Sequence, residues 1–383
     1  MSNVFDYLAW RGDLLLEQEP FNEVDGAILA RFAYAPFELM QDSVNDVPAS
    51  IKDAARSLLV HPDIESKVLM KIDLKLLANI AESERFQNMK IFAYENVYDV
   101  ETQVQFSAVT IQLDSDLYFV AFRGTDSTFI GWKEDFNMSF ICPVPSQEMA
   151  VKYLDKIAKT VNGRFIVGGH SKGGNLSVYA SAFCEPSFQE RIDAIYNFDG
   201  PGFDKSILST DGYKNICDRI KTYIPQSSIV GLLLEHEEEY TIVHSAQAIN
   251  VLQHDILSWD VQRNHFEYLE TVTNSSKFID STLKAWIADM ASEQREKFID
   301  AVYLIISQTN LQSFKDLNNN NYIASAKAIT NSIKNLDDGT RQAVIKALLS
   351  LAKCAKDVIA DSFRKNTGSP EDIKSIGSAE NKD

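Results

Sequence analysis

The apolar positions along this chain change period several times. Between about residues 106 and 124 they crowd into two β-rich runs, FSAVTIQL and LYFVAFRG, separated by a Ser115-Asp116 turn, and the pair predicts a β-hairpin. A helical stretch over about 147–160 comes next. The short run RFIVGG then enters a turn at His170-Ser171, and a helix pattern starts at once in NLSVYASAF. Three further short runs, IDAIYNF, RIKTYI and YTIVHS, are each β-branched or aromatic and are set apart by turn residues or helical stretches. Strands alternating with helices in this way predict an α/β architecture: a mostly parallel sheet with helices on both faces.

On either side the period is helical. Residues 1–90 read as a mostly helical cover, with Asn22 or Asp25 as the cap before GAILARFAY. Beyond about residue 270 the strands stop. Phe298, Val302 and Ile305 fall on one helical stripe, and Val344, Leu348, Leu351, Ala355 and Val358 fall on another, with the Asn-rich DLNNNN between them. The expected division is a cover over 1–90, a core over 91–270, a helical C-terminal extension over 271–365 and a disordered tail over 366–383. The C-terminal helices are expected to dock on the core and shade its cleft as a lid.

Composition narrows the function. A chain of 383 residues with 45% hydrophobic content can fill one large core plus an appended element. Lys and Arg number 37 against 54 Asp and Glu, a net charge of −17 that argues against nucleic acid as a partner. Cys142, Cys184, Cys217 and Cys354 lie far apart with no Cys-x-x-Cys pair, so neither zinc nor a disulfide framework is expected, and no cofactor is called for. Charges at Asp6, Arg11 and Asp13 precede any apolar run of signal-peptide length, and no segment reaches 18 apolar residues. The expectation is a cytoplasmic protein without a membrane span.

The sharpest chemical signal is Gly169-His170-Ser171-Lys172-Gly173. A Gly-x-Ser-x-Gly match arises by chance in roughly one chain in ten of this length, but here it sits directly between a strand and a helix, where a nucleophile elbow belongs. The turn must be so tight that only glycine fits two residues before and after the serine. A second signal is Phe122-Arg123-Gly124-Thr125-Asp126 at the end of an earlier strand, followed by Trp132 and Asp135. Acyl transfer needs two N–H donors aimed at the developing oxyanion, and these would be Thr125 and Lys172.

With FRGT, a tryptophan a few residues on, and GHSKGGN, the chain resembles class 3 lipases; GHSKGGN with NVLQHDILSW is similar to an uncharacterised bacterial branch of that group. Over about residues 90–265 the resemblance implies an α/β-hydrolase fold, Ser171 as nucleophile and an oxyanion hole using the residue after Arg-Gly. Two departures stand out. Those lipases usually carry Leu after the nucleophile, whereas Lys172 would place a cation beside the site. They also carry their acid after the next-to-last strand, where this chain has Ser227-Ser228.

For the base, chain order removes His61, His170 and His236 and leaves His244, His254 and His265, of which His254, in a loop-like break, is preferred. For the acid, Asp199 follows the strand after the elbow strand and gives the order Ser, Asp, His; Asp255, Glu235 and Glu237 are alternatives, and a turn-capping role is the competing use of Asp199. The expected activity is a serine hydrolase of lipase or esterase type acting on a small-molecule ester or lipid. A pseudo-hydrolase serving as a binding module, and a thioesterase or peptidase on the same triad, are the alternatives.

Overall fold

The computed structural model describes residues 2–40, 47–99, 104–126, 142–247 and 250–273, with a few isolated positions besides. Among the described residues nine strands form one sheet. In chain order they are β1 (Ala49–Ser50), β2 (Lys90–Asp99), β3 (Val104–Gln112), β4 (Leu117–Phe122), β5 (Arg164–His170), β6 (Ile192–Phe198), β7 (Ile220–Pro225), β8 (Tyr240–Val243) and, after a small separate hairpin of β9 (Val261–Gln262) and β10 (His265–Phe266), β11 (Tyr268–Leu269). The sheet keeps chain order, β1 to β8 followed by β11.

The sheet is mixed. β4 through β8 run parallel, as the alternation of strands and helices predicts, whereas β1 to β4 pair antiparallel and β11 closes antiparallel on β8. The predicted hairpin is present, with Leu113 N–H donating to the Leu117 carbonyl across the turn. β2, at the start of the core expected over 91–270, is a strand that the sequence pattern does not announce: KIFAYENVYD runs for ten residues, six of them only half buried, so its apolar signal is too diluted to read as β.

Strand alternation sorts side chains into two cores. Phe119, Ala121, Ile166, Tyr196 and Phe198 face one layer, built by α1 (Val4–Arg11), α2 (Glu23–Phe32), α3 (Ile51–Leu59) and α5 (Ile72–Glu82), with the short α4 (Ile64–Lys67) between the last two. Val120, Phe122, Phe165, Val167 and Ile195 face the other, built by α6 (Pro145–Thr160), α7 (Lys172–Phe183) and α8 (Asp211–Ile216). The cover is thus half of the fold. Both residues proposed to cap α2 take part: the Asn22 side chain accepts from Val24 and Asp25 N–H, and the Asp25 carboxylate accepts from Asn22 N–H at 3.0 Å. Asp25, fully buried, also takes the Arg85 Nε at 2.7 Å and the Tyr7 hydroxyl at 2.8 Å, which locks the cover together.

Trp132, Asp135, the apolar stripes of 298–305 and 344–358, and the expected tail lie outside the described residues. Among the described residues no helix is long and apolar enough to cross a membrane.

Candidate active site

β5 delivers Ser171 straight into the first turn of α7, and the serine is held at φ 59°, ψ −130°. A non-glycine residue at positive φ is strained by about 1–3 kcal/mol, and here the packing enforces it. A Cβ on Gly169 would lie 2.3 Å from the Gly173 carbonyl, and one on Gly173 would lie 2.1 Å from the Phe122 carbonyl, so β4, β5 and α7 meet too closely for any side chain. The glycines flanking the elbow are therefore a demand for space: no glycine among the described residues has positive φ. Gly124 makes a third close approach. A Cβ there would meet the Tyr34 hydroxyl at 2.2 Å, the His170 carbonyl at 2.4 Å and the Ser171 Cβ at 3.2 Å. Thr125, the next residue, accordingly starts beside the serine.

Asp199 leaves β6 on the same edge of the sheet, also at positive φ (51°), with its N–H donating to the Tyr223 carbonyl at 2.8 Å. Its carboxylate is buried and fully engaged. Oδ2 contacts His254 Nδ1 at 2.6 Å, while Oδ1 accepts from the Ser228 hydroxyl and from Gly231 N–H at 3.1 Å. The two residues preferred from the sequence as acid and base are hydrogen-bonded partners. Ser228, in the segment where the resemblance placed an acid, supplies a donor to the carboxylate that reaches there from the neighbouring strand.

His254 closes a short 3-10 turn over Asn250–His254. The preceding Gln253 fixes this turn, accepting from Ser227 N–H at 2.9 Å and, through its carbonyl, from the Trp259 indole at 2.8 Å. The His254 ring lies 4.6 Å from the His170 ring and is 28% exposed, whereas Asp199 is buried behind it. With Nδ1 on Asp199, Nε2 is the nitrogen left for proton transfer.

His170 plays a part that its place in the motif does not announce. Its Nε2 meets the His254 carbonyl at 2.7 Å, so Nε2 carries the proton and Nδ1 accepts from the Tyr34 hydroxyl at 3.1 Å. Burial first, then the charges of His254 and Arg31, hold His170 well below the usual imidazole range. It is a neutral strut between the cover, through Tyr34, and the turn that carries His254. Nothing in the sequence around Tyr34 marks it; only the packing of α2 against β5 brings it there.

Lys172 corrects an expectation. Its ammonium is 1% exposed and donates to the Gln105 carbonyl at 2.7 Å, to Gln105 Oε1 at 2.9 Å and to Glu134 Oε2 at 2.9 Å. The charge is tied up in a buried ion pair, so it does not sit beside the site. Its backbone N–H heads α7 and has no partner within the helix, as required of an oxyanion donor.

The other candidates go elsewhere. Asp255 Oδ1 lies 3.7 Å from Arg31, and Glu235 joins Phe203 in a β-bridge. His236 spans Glu238 at 3.0 Å and the Gly231 carbonyl at 2.8 Å, His265 contacts the Phe266 carbonyl, and His61 caps a local turn. His244 has its own acid, Asp260, at 2.6 Å. With Glu267 these two bring metal-capable atoms within 4.8 Å of one another, but the direct His244–Asp260 hydrogen bond already occupies two of the three groups.

Residues 80–304 match the family model described as Mbeg1-like. No curated protein matches the sequence. Among solved structures, a crystal structure of M37 lipase is 18% identical, covering 54% of this chain and 69% of that one at a TM-score of 0.34. The native Rhizomucor miehei lipase propeptide complex is 14% identical, covering 51% and 67% at a TM-score of 0.32.

Proposed function

We propose that this chain, which belongs to the Mbeg1-like family, is a lipase-like serine hydrolase of the α/β-hydrolase fold that cleaves an ester through an acyl-enzyme on Ser171. In this reading His254 Nε2 takes the Ser171 hydroxyl proton as the oxygen attacks the ester carbonyl, then returns it to the leaving alcohol; water repeats the cycle to release the acid. Asp199 holds Nδ1–H, fixing the tautomer and stabilising the imidazolium as it forms. The Thr125 and Lys172 N–H groups receive the negative charge that develops on the carbonyl oxygen. No step in this cycle calls for a metal or an organic cofactor.

The observation that carries the reading is the 2.6 Å contact between His254 and a buried carboxylate, on the sheet edge where a serine is held at positive φ. A carboxylate on His254 also favours this reading over a binding module on an inactive fold, the alternative that Ser227-Ser228 would suggest by standing where an acid is expected. Treatment with a fluorophosphonate probe should label Ser171, and Ser171→Ala should lose both labelling and hydrolysis of 4-nitrophenyl butyrate. Folded wild-type protein that resists the probe and cleaves no ester would overturn the proposal. A 4-nitrophenyl ester reports acyl transfer alone, so matched thioester and anilide substrates distinguish an esterase from a thioesterase or a peptidase.

A further inference from the structure

A cavity of about 270 Å³ adjoins the site, lined by Tyr34, Lys67, Asn96, Tyr98, Arg123 and Asp126 among others. Two of these residues connect it to the nucleophile. Arg123 immediately precedes Gly124, whose α-carbon packs on Ser171, and the Tyr34 hydroxyl touches both Gly124 and His170. The lining is polar: Pro36 and Leu69 are its aliphatic members, and the rest are hydroxyl, amide or charged groups. A greasy acyl chain has little to pack on here.

Arg123 is the unusual element. Its side chain is 10% exposed, which requires compensation for a guanidinium with five donors. Nη2 donates to Asn96 Oδ1 at 3.1 Å and stands 4.0 Å from Asp126, the outer limit of an ion pair. Nε has no hydrogen-bond partner among the described residues. The other carboxylate of the cavity, on Glu38, already accepts the Tyr94 hydroxyl at 2.8 Å. Lys67, at the exposed end of α4, adds a second cation to the lining. The lining thus carries two cations, Arg123 and Lys67, beside two carboxylates, Asp126 and Glu38, in a chain whose net charge is −17.

We propose that this cavity is a subsite for an anionic oxygen group on the substrate, a carboxylate or phosphate placed a few bonds from the scissile carbonyl, with Arg123 as its main partner and Lys67 assisting at the mouth. The proposal rests on Ser171 being the nucleophile. It makes the preferred substrate a polar, negatively charged ester rather than a neutral long-chain lipid, and gives the Arg of the Phe-Arg-Gly-Thr motif the role of choosing it.

The test compares kcat/KM for 4-nitrophenyl butyrate with that for the 4-nitrophenyl monoester of adipic acid and for a 4-nitrophenyl ester ending in a phosphate. Inorganic phosphate and adipate serve as competitive inhibitors, which report the subsite whether it takes the acyl or the alcohol side. A charge-assisted contact predicts at least about a tenfold preference for one anionic ester or, if the subsite takes the alcohol side, competitive inhibition by the matching anion. Arg123→Gln should abolish that preference or inhibition, Lys67→Gln should weaken it, and Arg123→Lys should restore part of it. Fluorophosphonate labelling of each variant shows that the site is still assembled. Wild-type protein that hydrolyses the neutral ester as well as the charged ones and ignores both anions would overturn the subsite while leaving the hydrolase reading intact. So would an anion effect that survives Arg123→Gln. Failure to hydrolyse any ester, with Ser171 unlabelled, overturns the hydrolase reading itself and the subsite with it.

Discussion

Replacing Asp199 by asparagine changes one atom in shape and reverses one hydrogen bond. Oδ1 of Asp199 accepts from the Ser228 hydroxyl and the Gly231 N–H, and Oδ2 faces His254 Nδ1 at 2.6 Å. An asparagine in this frame must turn its carbonyl oxygen toward the two donors, because an amide N–H against Gly231 N–H would leave both unsatisfied. Its NH2 then points at His254 Nδ1 and donates. Nδ1 loses its proton, Nε2 keeps one, and the nitrogen that should accept from Ser171 is blocked. The imidazolium of the transition state also loses its counter-charge. Together these should lower kcat by about 10⁴, or about 5.5 kcal/mol of barrier at 1.36 kcal/mol per factor of ten. The assay is the turnover of 4-nitrophenyl butyrate by Asp199→Asn beside the wild type, with circular dichroism and thermal unfolding to show that the sheet is intact. KM should move little, because Asp199 lies behind the imidazole. A folded Asp199→Asn protein retaining more than about a tenth of wild-type kcat would refute the assignment of the acid.

Three further outcomes follow from the same geometry. Ser228→Ala removes a hydroxyl donor to the Asp199 carboxylate and should lower kcat roughly tenfold at unchanged KM, with Ser228→Thr close to wild type; a KM effect alone would mean that Ser228 only shapes the cleft. Glu134→Ala strands the Lys172 ammonium at 1% exposure and should destabilise the fold by about 3–5 kcal/mol in urea unfolding; a loss under about 1 kcal/mol would show that Gln105 suffices as its partner. His170 is held well below the usual imidazole range, so below about pH 6.5 the unfolded chain binds a proton that the native state refuses. Stability should therefore fall as pH drops through 6.5, contributed by this group at up to about 1.4 kcal/mol per pH unit, and His170→Gln should flatten that part of the urea-unfolding profile.

How far the sequence could be read depended on whether the signal was local. The elbow was legible because close approach of β4, β5 and α7 leaves a direct trace, glycine at 169 and 173. His254 and Asp199 were legible because chain order and strand ends restrict which side chains reach one sheet edge. What was hidden arises between segments distant in sequence. Tyr34 lies 136 residues from the His170 that it supports, and the Lys172–Glu134 pair spans 38. β2 was hidden for a different reason: Glu95, Asn96 and Asp99 interrupt its apolar alternation, since six of its residues are only half buried. Of the antiparallel pairs only the β3–β4 hairpin was legible, because the mostly parallel sheet was inferred from the β4 to β8 units.

The ion pair beneath the elbow ties two positions into one unit of inheritance. Glu134 accepts from Lys172, from Gln105 N–H at 3.2 Å and from Ser146 N–H at 3.0 Å, so a single carboxylate joins the first residue of α7, the sheet and the start of α6. Leucine after the nucleophile, the usual residue in class 3 lipases, could not be reached from here by one substitution. It would leave Glu134 charged and sealed from water, and changing Glu134 first would leave Lys172 in the same state. The two positions must change together. Among related chains, the residue after the elbow serine and the residue aligned with Glu134 should therefore covary, charged with charged and apolar with uncharged.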